Sequence, residues 1–252
     1  MKTKILIGVL VSLLVILVVS SAIPAGDKGQ GKKAEKPAGP PEIERGMFVN
    51  RPLSSPWWYP PEEETDTYRW APRCYWDTAS LPMTVLVNPT ASPFAEAELV
   101  AVVAEVAKGF HAWSTVPDQL YNAAVSRDDG APGPSLDEPD YTNTVSWGTI
   151  DGSEGIIAIT YFWYYTATKE VIDCDIVFDV AEPWSISATV PSDKFDVWNI
   201  ATHEAGHTLI LGDLRSPKDG ALTMHAYTWP GDDLKRTLGA GDILGIQAIY
   251  GE

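Results

Sequence analysis

The stretch His203-Glu204-Ala205-Gly206-His207 constrains this chain more than any other. It lies in a segment whose apolar residues Trp198, Ile200, Leu209 and Leu211 predict a mostly buried helix from about Lys194 to Leu211, with Ser192 or Asp193 as its cap. Side chains four apart share a helix face, so both imidazoles can reach one metal ion. Glu204, beside the first, can take a proton from water at that ion. The competing reading is a surface helix with two unrelated histidines. The apolar flanks oppose it, because two buried imidazoles require a partner.

A catalytic zinc site takes three protein ligands and leaves one position open. The only glutamate after His207 is Glu252, which removes the arrangement in which a later helix donates a Glu. Asp213 follows Gly212, where the chain can leave the helix and turn a carboxylate back toward the metal. Its competing role is that of a turn or cap residue, and His225 is a rival third ligand. Four histidines and two cysteines are too few for a zinc-finger array or an iron-sulfur protein. With 18 basic against 34 acidic residues and a net charge of -16, a phosphate-binding or nucleic-acid surface is excluded. The 252 residues, 45% apolar, can bury one core.

Lys2 and Lys4 precede an apolar run from Ile5 to Val19, followed by Ser20-Ser21-Ala22. Residues 1–22 therefore read as a secretory signal, or as an uncleaved anchor, and the chain is expected to work outside the cytoplasm, secreted or membrane-anchored. Residues 23–66 read as a tether rich in Pro, Gly and Lys up to Arg45, then an irregular segment from Gly46 to Asp66 with Trp57, Trp58 and Tyr59 among prolines. The folded domain, residues 67–252, is expected to start near Tyr68.

Within it, Met83 to Asn88, Thr144 to Trp147, Gly155 to Tyr165 and Glu170 to Asp179 read as strands, the last two forming a hairpin through Thr166 to Lys169. Pro93 to about Ser114 reads as a helix packed through Leu99, Val102, Val103, Val106, Phe110 and Trp113, with His111 a structural residue. Gly241 to Tyr250 reads as a final helix. The acidic loop Arg127 to Asn143 offers oxygen ligands for calcium but no EF-hand spacing, and a solvated loop is the plainer reading.

His203 to Asp213 (HEAGHTLILGD) resembles the long zinc-binding signature of the metzincin metallopeptidases, specifically their matrixin branch. Ala221-Leu222-Thr223-Met224 looks like the Met-turn, and Leu244 to Gly251 like the last matrixin helix. Val145-Ser146-Trp147 and Asp175-Ile176-Val177-Phe178 resemble matrixin strands. The resemblance covers roughly Tyr68 to Gly251. It implies an α+β zincin fold: a twisted, mostly parallel sheet of about five strands, a covering helix, the zinc helix and a C-terminal helix. It also implies a monomeric zinc endopeptidase acting on peptide or protein substrates, with zinc on His203, His207 and Asp213, Glu204 as general base and Met224 as an apolar floor. The strand from Ile156 to Phe162 would border the cleft and hold substrate extended by strand addition.

Two departures accompany it. The family pattern has glycine where this chain has Ile210, and a third histidine where it has Asp213. A β-branched residue tolerates positive φ poorly, so the turn is expected to shift toward Gly212, and an Asp ligand should lower the Lewis acidity of the metal. Tyr227 is a candidate for stabilising the transition state. Pro72-Arg73-Cys74 looks like the start of the cysteine-switch peptide, but the likeness stops there. The tether is too polar to fold as a prodomain. An even pair of cysteines in an exported chain instead predicts a Cys74–Cys174 disulfide. Rival functions are a non-catalytic surface binding module, using the Trp-rich segment or the acidic loop, and a zinc amidase acting on a non-protein substrate.

Overall fold

The computed structural model describes residues 40–53, 65–114 and 124–251. The leader or anchor of residues 1–22, the tether to residue 39 and the Trp57-Trp58-Tyr59 cluster lie outside the described residues. No helix among those described is long and apolar enough to cross a membrane.

The β-branched and aromatic runs pair into one sheet. Its strands are β1 (Ile43–Pro52), β2 (Thr84–Asn88), β3 (Ala124–Arg127), β4 (Thr144–Gly148), β5 (Ala158–Tyr165), β6 (Val171–Asp179) and the short β9 (Tyr227–Thr228), in the order β3-β2-β4-β6-β5-β1-β9. β3, β2, β4 and β6 run parallel, and β5 turns back antiparallel to β6 as the predicted hairpin. β4 and β6 are buried almost throughout, the pattern of central strands covered on both faces. A second, two-stranded ribbon joins β7 (Trp184–Ser185) to β8 (Phe195–Asp196).

Helix α1 (Leu99–Trp113) buries Leu99, Val102, Val106, Phe110 and Trp113, the predicted stripe, while His111 faces solvent. It packs on α2 (Val197–Thr208), and the Trp113 indole donates to the Thr202 carbonyl at 2.8 Å. α2 starts later than expected, and neither Ser192 nor Asp193 caps it. Phe195 and Asp196 are still extended in β8, so the cap is Asp196, whose carboxylate accepts from the Asn199 amide at 2.9 Å. Helix α3 (Ala240–Tyr250) closes the domain.

Two expectations are corrected. Gly46 to Asp66 is not irregular throughout: Ile43–Pro52 is a full strand, antiparallel to β5 from Ile43↔Tyr165 to Asn50↔Ala158 and parallel to β9 through Arg51↔Tyr227. The sheet therefore has seven strands, with β1 and β9 extending the expected core. The sequence IERGMFVNRP lacks a strand signature because only Phe48 and Asn50 are buried, and one of those is polar. Second, Cys74 and Cys174 are free thiols, not a disulfide. Both are buried in the apolar core, where desolvation raises the pKa of each thiol, so they behave as small core residues.

The acidic loop is anchored through its backbone. Asp173 accepts from the Asp140 and Tyr141 amides at 2.9 and 3.2 Å, and Asp175 accepts from Ser135 and Thr144.

Candidate active site

α2 is wedged between α1 and β5, so the face carrying His203, Glu204 and His207 is fully buried, each residue at 0% exposure. The C-terminal carbonyls of such a helix have no partner within it. Here the Trp76 indole donates to Thr208 O at 2.8 Å and the Tyr250 hydroxyl to Leu209 O at 3.3 Å.

Each imidazole is oriented from behind. His203 Nδ1 donates to the Thr223 carbonyl and His207 Nδ1 to the Leu211 carbonyl, both at 2.7 Å. A carbonyl can only accept, so the proton sits on Nδ1 in each ring and both Nε2 lone pairs point to one place. Asp213 Oδ1 faces them, 3.5 Å from His203 Nε2 and 3.3 Å from His207 Nε2. Among the described residues, both Nε2 atoms, Asp213 Oδ1 and Glu204 Oε1 are buried without a hydrogen-bond partner. Each such orphan costs about 1–3 kcal/mol, so their convergence fits a bound cation.

The potential ligand atoms of His203, Glu204 and His207 lie within 4.8 Å of one another. Asp213, which is not in that group, faces both Nε2 atoms, while one oxygen of Glu204 is held elsewhere, Oε2 accepting from Thr160 Oγ1 at 2.6 Å. That contact leaves Oε1 as the carboxylate oxygen without a hydrogen-bond partner. Burial raises the Glu204 pKa. Burial, with Lys235 adding to it, pushes His203 down to about 3.

The turn that delivers Asp213 corrects a further expectation. It does not shift toward Gly212; Ile210 itself adopts φ 65° and stays fully buried. The surrounding contacts enforce this conformation. Leu211 bridges to Trp70, Gly212 N donates to Arg69 O at 2.7 Å, and Leu214 N donates to Met224 O at 2.9 Å.

Met224 lies under the helix. A Cβ on Gly206 would come within 2.3 Å of Met224 Sδ and 2.5 Å of the Trp113 ring, so the glycine inside the motif is set by close approach. The turn itself hangs from α3, where the buried Asp242 carboxylate accepts from Thr223 N at 2.8 Å and Met224 N at 3.1 Å. His225, like Asp213, is outside the His203–Glu204–His207 group. Tyr227 sits half-buried on β9 with its ring against His225, lining a groove with Asp213 and Arg215.

Sequence reasoning missed several neighbours. Asn50 and Phe48 come from a strand that only tertiary pairing defines, and Thr160 from a strand that was expected at the cleft without this residue being singled out. Lys235, buried with its ammonium 3.4 Å from His203 Nδ1 and lowered to about 8 by burial, sits in an otherwise polar stretch.

A family model described as Matrixin matches residues 76–251. The chain belongs to the matrixin family. Interstitial collagenase A of Mus musculus is 36% identical over 77 residues, 31% of this chain and 15% of that protein. Matrix metalloproteinase-25 of Mus musculus is 32% identical over 103 residues, 40% of this chain and 16% of that protein. This matrixin thus aligns with about a sixth of the length of those relatives. The family binds zinc, and the donor set described above suits that ion.

Proposed function

We propose that this matrixin is an exported, monomeric zinc endopeptidase, with His203, His207 and Asp213 as the metal ligands and Glu204 as the general base. The reading is supported above all by three unpartnered buried atoms, His203 Nε2, His207 Nε2 and Asp213 Oδ1, that face one another. Zinc bound there supplies Lewis acidity toward a scissile carbonyl and the attacking water. The protein does the rest. Thr160 fixes one Glu204 oxygen, so the other is aimed at the place where water must lose its proton, and the raised pKa suits a group that accepts that proton and returns it to the leaving amine. The two carbonyl acceptors keep both imidazoles in the ligating tautomer, and Met224 supports the helix from below. β5 would hold the substrate extended through its backbone.

The test is Glu204→Gln, assayed on casein with zinc measured beside it. Zinc content should match the wild type while hydrolysis falls by about 10²–10⁴-fold or more. Persistent hydrolysis would exclude Glu204 as the base. A zinc-loaded wild type that leaves casein and peptides intact would exclude the peptidase.

A further inference from the structure

A peptidase must admit a peptide and water to its metal, yet here His203, Glu204 and His207 are at 0% exposure and Asp213 at 7%. What covers them is β1. It fills the gap between β5 and β9, antiparallel to the first and parallel to the second. The Ile157 amide donates to Asn50 O at 2.9 Å and the Leu53 amide to Thr228 O at 2.7 Å, so both walls of the gap bond to this one strand.

Its two faces differ as an inserted strand requires. Met47 is 60% exposed, whereas Phe48 and Asn50 turn inward. The Phe48 ring stacks flat on the His207 imidazole, with centroids 4.2 Å apart and planes 4° apart. Asn50 is fully buried and stands near enough to Glu204 to favour its ionised form, yet both of its amide atoms lack a close hydrogen-bond partner. Gly46 makes the close fit possible, since a Cβ there would come within 2.1 Å of the Phe162 ring.

We infer that Ile43–Pro52 is a built-in occupant of the substrate cleft, lying as an extended peptide would lie and keeping the site closed until it is displaced. This rests on the peptidase reading for what the cleft accepts, but not for the occupancy itself. The same cleft would therefore select an extended strand that puts an aromatic side chain on His207 and a small polar one beside Glu204.

Gly46→Val in the full, zinc-loaded chain tests it, because the added bulk meets Phe162 and touches no ligand. Three readouts apply: hydrogen exchange at the Ile157 amide, withdrawal of zinc by excess chelator, and casein hydrolysis. Each should rise at least tenfold, while Met47→Ala on the exposed face changes none. A synthetic peptide spanning residues 42–53, added to the variant, should slow all three again. Where Gly46→Val fails to fold, the Phe48→Ala, Asn50→Ala double variant loosens the same strand without adding bulk. Faster exchange at Ile157 with unchanged zinc withdrawal would overturn the proposal, as would loss of the peptide's effect. Faster exchange and zinc withdrawal with no hydrolysis in any form would uphold the occupant and remove the peptidase.

Discussion

The floor and the roof of the site are held in different ways. Beneath the metal position, polar groups are tied by buried hydrogen bonds, locally from His207 to Leu211 and across longer stretches of sequence from His203 to Thr223 and from Asp242 of α3 to the backbone of Thr223 and Met224. Every tie satisfies a group that would otherwise be orphaned in a dry interior, so the floor has one low-energy arrangement. Above it, β1 is held by pairing to β5 and β9 and by two inward side chains, with Met47 and Arg51 exposed. Backbone pairing can be exchanged for pairing with another strand at little net cost, whereas the floor has no substitute partners. Changes to the floor should therefore be read in metal affinity and stability, and changes to the roof in access.

The largest floor effect belongs to Asp213. Loss of an outer partner of a metal ligand typically costs 10–100-fold in affinity, so losing a ligand itself through Asp213→Ala should exceed about 100-fold, measured by competition with a chelator. Wild-type affinity would remove Asp213 from the site and promote His225. Next comes Asp242→Ala, which strands the amides of Thr223, Met224 and Gly239. It should cost about 2–3 kcal/mol, seen as a lower urea midpoint at unchanged slope. An unshifted midpoint would mean that the Met-turn does not hang from α3. Gly206→Ala forces Met224 or Trp113 to move and should cost about 1–3 kcal/mol. Unchanged stability there would show that the floor yields more readily than its packing implies. None of the three should change hydrogen exchange at Ile157, which reports on the roof.

The same division explains what the sequence revealed. His203, Glu204 and His207 were legible because helical spacing alone puts them together, and the stripe of α1 because burial on a helix repeats in sequence. The last helix was legible in its own residues, Gly241 to Tyr250, and the Met-turn only through resemblance. Asp242, Thr160 and Asn50 were hidden, since a buried polar residue carries no periodic signal and its partner is fixed by tertiary pairing. β1 was hidden for the same reason: it is a strand because β5 and β9 offer edges to it, not because IERGMFVNRP prefers to be one. The cysteine pairing failed because compartment and an even count say nothing of whether two buried thiols meet.

The smallest effects, at the turn joining helix to ligand, distinguish the observed backbone from the one that side-chain preference suggested. With Ile210 at φ 65°, a conformation costing a non-glycine residue about 1–3 kcal/mol, Ile210→Gly relieves strain. It also empties a fully buried site, and truncating a buried isoleucine costs about 2–5 kcal/mol. Burial wins, and the variant should be less stable by roughly 1–2 kcal/mol while keeping its zinc affinity, because Gly212 and Leu214 stay tied to Arg69 and Met224. Gly212→Ala should do still less. Gly212 is not among the positive-φ residues, and its Cβ would meet Ala71 O at 3.1 Å and the Arg69 side chain at 3.3 Å, contacts that a small shift relieves. A cost under about 1 kcal/mol in urea unfolding fits that geometry. If the left-handed residue were Gly212 instead, the ranking would invert: Gly212→Ala would become the damaging change, adding αL strain of about 1–2 kcal/mol and loosening zinc with it.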